Sequence, residues 1–228
     1  MKYTVTLIFL LLFSSAFGQI RGLKLNIGSA AIGAPGIAFE HVRKKKLAWQ
    51  VGGAYLIPNQ RESFFYKSLL NGRSMQSGKI TGFSASIEHR WYTKAARRAH
   101  MKPYVSLFSR FYQFDISVQF TDEQTDYDLG LKSQNIGAGV QVGIQWVIRD
   151  KFSIDVAIIG AGYGRNSLSG EVTTTGGDPN IGILEDDISE MPLLGNRIKL
   201  KSDGDVHRFN SSYGSLIYRG AIFVGVLF

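Results

Sequence analysis

Charged side chains recur in this chain at positions that alternate with apolar ones: Lys24, Glu40, Glu88, Arg90, Arg110, Asp155, Arg165 and Arg219. Both signs are present, so two kinds of chemistry are open to them. They can pair and seal an interior, or they can exchange partners along a narrow gated polar path. Unpaired charges in a confined interior are costly, so each must find a partner or meet water. Glu88 and Arg110 are expected to pair, because they sit on successive alternating stretches. The four histidines, His41, His89, His100 and His207, are scattered. None has a carboxylate or a second histidine at metal-ligand spacing. His89 beside Trp91 is the one candidate for a lipid-modifying enzyme, but Ser84 and Ser86 fall on the opposite face from it. No glycine-rich stretch lies between a strand and a helix, so no phosphate loop is expected.

Period-two alternation defines the elements that must carry these residues. The first stretch, Gly22–Ala30, sets Leu23, Leu25 and Ile27 against Lys24, Asn26 and Gly28. Gly36–Arg43 sets Ile37, Phe39 and His41 against Ala38, Glu40 and Val42. Lys46–Ile57 sets Leu47, Trp49, Val51 and Tyr55 against Ala48, Gln50, Gly52 and Ala54. Lys79–Thr93 sets Phe83, Ile87, His89 and Trp91 against Ser84, Ser86, Glu88, Arg90 and Tyr92. Pro103–Phe120 sets Val105, Leu107 and Phe111 against Tyr104, Ser106, Phe108, Arg110 and Tyr112. Phe114 and Ile116 in the same stretch suggest a bulge or a change of face. Gln134–Arg149 alternates most cleanly, with Ile136, Val140, Val142, Ile144, Trp146 and Ile148 opposite glycines and glutamines. Lys151–Arg165 places Asp155, Tyr163 and Arg165 on one face. Tyr213–Phe228 sets Tyr218, Ile222, Val224, Val226 and Phe228 against Ile217, Arg219, Ala221 and Gly225. Helical periodicity is absent from all eight.

The connections alternate in length. Arg43-Lys44-Lys45, Lys94–Lys102 and Arg149-Asp150-Lys151 lie at one end, while Pro58–Gly78, Thr121–Ser133 and Asn166–Ser212 lie at the other. Ser29–Pro35 is the short exception. Short turns at one rim and long loops at the other are what an outer-membrane barrel shows. The basic short turns would be solvated or would touch anionic headgroups. The chain opens with Met1-Lys2 and an apolar run from Val5 to Phe13, followed by small residues at Ala16 and Gly18. That pattern is a secretory signal peptide over residues 1–18, too short to span a bilayer. The remaining 19–228 form one domain. Cysteine is absent and the formal net charge is +8, so neither disulfides nor thiol chemistry hold or serve the fold. For an exported chain, a basic balance points to anionic lipid or solubility rather than to nucleic acid.

Alternation alone does not separate a membrane barrel from a soluble, lipocalin-like one. The polar face decides. A water-facing surface favours Lys and Glu, whereas the polar face of Gln134–Arg149 is glycine and glutamine. The opposite face is nearly uninterrupted aliphatic, with Trp49, Trp91, Trp146 and Tyr218 placed to form an interfacial aromatic girdle. The fold expected is all-β, an eight-stranded antiparallel transmembrane β-barrel closed on itself, because every backbone polar group must pair within lipid.

These residues carry a resemblance. Gly22-Leu23-Lys24-Leu25-Asn26, Ile87-Glu88-His89-Arg90-Trp91-Tyr92 before a basic turn, Lys102-Pro103-Tyr104-Val105, and the ending Phe223-Val224-Gly225-Val226-Leu227-Phe228 resemble small OmpA/OmpX-like outer-membrane barrels of Gram-negative bacteria. More narrowly, they resemble a family of such barrels built on a domain of unknown function. The resemblance implies the fold and an outer-membrane location. It also implies that Phe228 serves as the signal read by the barrel-assembly machinery. It carries no activity and no catalytic residues.

The expected protein is therefore a monomeric outer-membrane barrel of structural or interaction type, with lipid as its surroundings, no nucleic-acid partner and no cofactor or metal. A narrow solute pore and a lipid-modifying enzyme stay open as alternatives. Residues 166–212 form the largest predicted loop, with Leu184, Ile188 and Met191 at helical spacing before Pro192. The segment would be either a cap over the outer mouth or a mobile surface loop.

Overall fold

The computed structural model describes residues 21–31, 33–44, 46–57, 74–93, 101–122, 125–175, 201–203 and 205–228. Alternating apolar residues, many of them β-branched, produce long strands: β1 Arg21–Asn26, β2 Gly36–Lys44, β3 Leu47–Leu56, β4 Ser74–Tyr92, β5 Met101–Asp122, β6 Thr125–Ile148, β7 Phe152–Thr175, β8 Lys201–Asp203 and β9 Val206–Leu227. The pairing order is β1-β2-β3-β4-β5-β6-β7-β9, and β9 pairs back with β1. All pairings are antiparallel. Eight strands therefore close a ring with no free edge through its lower part, and β8 forms a short hairpin with the start of β9 outside it. The seam is tied at the rim by Arg21 and Phe228, each of which donates its amide to the other's carbonyl.

The first strand ends at Asn26, earlier than alternation suggests. Asn26 accepts the amide of Ser29 through Oδ1 and so caps a one-turn helix, α1, Ile27–Ala31. At the opposite rim, Arg149 and Asp150 both take left-handed backbone angles, with φ of 52° and 56°. Lys151 donates its amide to the Ile148 carbonyl at 3.1 Å. Two successive positive φ values make the tight hairpin whose twist suits antiparallel strands.

Two of the sequence expectations need correction. The fifth stretch contains no change of face: β5 pairs with β6 residue for residue from Met101 to Asp122, so Phe114 and Ile116 continue the inward row of Arg110 and Tyr112. An irregularity that turns predicted inward residues outward lies instead in β7, where the register to β9 shifts between Ala157 and Gly160. Ile158 and Ile159 both face outward across this bulge, and every residue after it changes parity. Tyr163 and Arg165 therefore sit on the outer surface, against the expectation that they face inward.

The long strands also run well past the expected boundaries. β6 begins at Thr125 and β7 continues to Thr175, while β8 and β9 occupy 201–203 and 206–212. Much of the predicted loops 121–133 and 166–212 is therefore strand. The stretch expected to be helical, around Leu184–Met191, lies outside the described residues, as do residues 1–18 and His100. The change in polarity along these strands divides the molecule. From Asn135 to Ile148 the outer face of β6 is apolar and the inner face holds Asn135, Gln141 and Gln145 among its glycines. Above that, Lys132, Asp128 and Asp126 face outward while Leu131, Leu129 and Tyr127 are buried. β5, β7 and β9 follow the same switch, burying Val118 and Phe120, Leu168 and Val172, and Phe209. The lower part is a barrel with a polar interior, and the upper part is a crown with an apolar one.

Candidate functional site

Inside the lower barrel, the inward parity of each strand delivers a polar side chain to one layer. β1 supplies Lys24, β2 Glu40, β3 Gln50, β4 Glu88, Arg90 and Tyr92, β5 Tyr104, β6 Gln145, β7 Asp155 and β9 Arg219. Every strand of the ring contributes. Asp155 is the hub. It accepts Lys24 Nζ at 2.6 Å, Arg90 Nη1 at 2.5 Å and the Tyr104 hydroxyl at 2.8 Å. Lys24 Nζ also reaches Glu40 at 2.9 Å and donates to Gln50 at 3.1 Å. Glu40 further accepts the Tyr92 hydroxyl and Gln145 Nε2 at 2.8 Å. Arg90 donates through Nε to Glu88 at 2.8 Å and lies over the Tyr104 ring, 4.5 Å from its centre. Arg219 pairs with the second oxygen of Glu88.

This is a single connected network. Its three carboxylates, Glu40, Glu88 and Asp155, face three cations, Lys24, Arg90 and Arg219. Lys24, Glu40, Arg90 and Asp155 are each 0 % exposed, so solvent does not reach the centre of the layer. Bidentate and shared hydrogen bonds of this kind are what make a buried charge tolerable, because a charge left without them costs several kcal/mol. Beneath it, Tyr92 and Tyr104 pack edge to face against each other and on Ala48 and Val42.

Three charged positions behave differently from the sequence expectation. Arg110 does not pair with Glu88. In register Glu88 is opposite Phe108 and Arg110 is opposite Ser86, so the two are offset along the lumen, and Arg219 takes Glu88 from across it. Arg110 instead sits 5.4 Å from the Tyr112 ring centre and donates to the Tyr218 carbonyl at 3.4 Å. Arg165, turned outward by the β7 bulge, donates through Nε to Ser212 at 2.9 Å. Gln50, Tyr92, Tyr104 and Gln145 belong to the network although their charge would not mark them. The available signal was their shared inward parity with Lys24, Glu40 and Glu88.

The outer face of the lower barrel is apolar on every ring strand, with Leu25, Ile37, Val51, Ile87, Leu107, Val140, Ile154 and Val224 among its exposed side chains. Trp49, Trp91 and Trp146 all lie near the short-turn rim. His89 is held between two of them, with ring centres 4.3 Å from Trp49 and 4.4 Å from Trp91. Tyr218, 71 % exposed, lies farther from that rim on β9, in register with Ala161 and through it with Val140. Phe228 is exposed at the short-turn rim. His41 is half-buried and His207 is buried in the crown. Among the described residues, no group of three or more His, Asp or Glu is placed to hold a metal ion.

A family model described as a protein of unknown function, DUF3575, matches residues 3–170. No curated protein matches the chain in sequence. Among solved structures, the chain is similar to a major outer membrane protein from Thermus thermophilus, with 8% identity over 92% of this chain and 99% of that one and a TM-score of 0.48. It is also similar to Neisserial surface protein A, with 14% identity over 92% and 94% of the two chains and a TM-score of 0.32.

Proposed function

The chain belongs to the DUF3575 family of proteins of unknown function, and we propose that it is an integral outer-membrane barrel whose lumen is sealed by its own ion pairs. Its work is then done by what it holds above the membrane. The observation that carries this reading is the network centred on Asp155, to which all eight ring strands contribute and whose central charges have no solvent contact.

The apolar belt supports placement in lipid. A water-soluble monomer rarely exposes more than a few hundred Å² of contiguous apolar surface, yet here large aliphatic side chains are exposed around the whole ring. On β6 the belt from Ile136 to Ile148 spans roughly 30 Å at the rise and tilt usual for such strands, which matches a hydrocarbon core. Tryptophans at the short-turn edge suit a membrane–water interface. In this reading the short turns and the termini lie in the periplasm after removal of a signal peptide, and the crown stands outside the cell. The protein is a structural or interaction barrel rather than an enzyme, monomeric, and delivered by the barrel-assembly machinery.

Planar-bilayer recording of the refolded full chain tests the seal. The expected result is the absence of any reproducible open level. A stable conductance step in the unmodified protein would reverse the reading in favour of a pore.

A further inference from the structure

The polar network leaves one layer of the lumen unsatisfied, directly above it. Arg110 faces inward from β5, and no ion pair joins it to a carboxylate among the described residues. Its Nε is buried and makes no hydrogen bond. Arg219, whose other nitrogen holds Glu88, keeps Nη1 buried without a partner. Gln141, 1 % exposed, has neither amide atom engaged, and the Ser106 hydroxyl opposite it in register is also unengaged.

Register and contacts link these groups around the buried Phe108 ring. Gln141, Gly160 and Arg219 are successive cross-strand neighbours on β6, β7 and β9. Gly160 lets Gln141, Arg219 and the Phe108 ring pack closely together: a Cβ there would meet Gln141 Cβ at 3.1 Å, and Arg219 Cβ and Phe108 Cε1 at 3.3 Å. Arg110 reaches across the lumen to the carbonyl of Tyr218, the residue before Arg219. The floor of the layer is the charge-balanced network. Its roof is a ladder in which Asn135 donates to Asn166 at 2.7 Å and Asn166 to Ser215 at 2.6 Å. Arg110 is half-buried, so one side of this layer meets solvent.

Burying so many polar atoms without partners is unfavourable unless something fills the space. The unpaired groups are nearly all donors, two of them cationic, and the charges below already cancel. We propose that this layer binds a small oxyanion, phosphate or carboxylate in type, with Arg110 and Arg219 as its charged ligands and Gln141 and Ser106 as neutral donors. Guanidinium groups suit such an anion because their N–H groups match its oxygens in geometry. The barrel would then be a closed-bottomed receptor for an anionic group presented from the crown side.

The test uses the full chain refolded in micelles, with arginine Nε–H resonances followed as inorganic phosphate is added at constant ionic strength. Saturable shifts at Arg110 and Arg219 in the millimolar range or tighter, with none at the outward-facing Arg165, are the expected result. Arg110→Gln should weaken the effect at Arg219 roughly tenfold or more, and Gln141→Met should weaken it less. Folding of each variant is verified by heat-modifiable electrophoretic mobility. Should either fail to fold, Arg110→Lys serves in its place, with weakened binding expected. Absence of a saturable shift in the unmodified protein would show that water alone fills the layer. Equal affinity in a folded Arg110→Gln variant would likewise overturn the proposal. Neither outcome bears on whether the lumen conducts.

Discussion

The crown is built from the upper parts of strands that also wall the lower barrel, β5, β6, β7 and β9, yet the polarities of the two regions are opposite. Below, aliphatic side chains face out and a layer of paired charges fills the interior. Above, Lys132, Asp128 and Glu171 face out while Leu129, Val172 and Phe209 are buried. The parity of β6 does not change between the two regions; only the chemistry assigned to each face does. The difference teaches that a strand's fold and its surroundings are specified separately. Alternation sets which side chains share a face, and the identity of the residues sets whether that face meets lipid or water.

Substitutions can break this comparison at either end. The largest effect is expected at the hub. Asp155→Ala leaves Lys24 and Arg90 buried without their shared acceptor, and should cost about 3–5 kcal/mol in urea unfolding from lipid vesicles. A Lys24→Met, Asp155→Leu double variant should recover a large part of that loss, since an apolar pair of similar volume carries no uncompensated charge. Recovery would show that the ion pairs fill and specify the lumen rather than supply its stability.

The next contrast separates the regions directly. Val140→Arg puts a charge on the middle of the apolar belt and should cost about 2–4 kcal/mol in the same assay. Asp128→Arg, on the same face of the same strand but in the crown, should change stability by no more than about 0.5 kcal/mol. Equal costs at the two sites would mean that the two regions share one environment. The smallest expected effect is a gain. Asp150→Gly relieves a left-handed backbone at the β6–β7 turn and should stabilise by up to about 1 kcal/mol, seen as a higher urea midpoint.

The ring of eight strands, the turn rim and the inward positions of Lys24, Glu40, Glu88, Arg90, Asp155 and Arg219 are all legible from period-two spacing. The crown is not. Its strands alternate as cleanly as those below, but with inverted polarity. Asp128 and Lys132, which flank Leu129 and Leu131, therefore read as polar loop rather than as a strand with its apolar face turned inward. Arg165 is misplaced in the sequence pattern by a bulge at Ile158-Ile159, because two adjacent isoleucines leave the parity of the later residues undetermined. The Arg219–Glu88 pair is hidden for a different reason: it joins strands that are distant in the sheet and meets across the lumen, where register says nothing. The glycines of β6 suggest, from sequence, room for a crowded lumen. Side-chain crowding holds at Gly143, where a Cβ would lie 2.4 Å from the Tyr104 ring, and close backbone approach adds to it at Gly139, where a Cβ would lie 2.6 Å from Gly162 Cα.

The central claim is that β6 passes from lipid into water partway along its length. A spin label placed in turn at outward positions 126, 128, 132, 136, 138, 140 and 142 of the vesicle-reconstituted protein measures this directly. High oxygen accessibility from 136 to 142, changing to high accessibility toward a water-soluble relaxant from 132 to 126, is the predicted profile. Uniform accessibility to the water-soluble relaxant along the whole strand would contradict it and would make the barrel a soluble one.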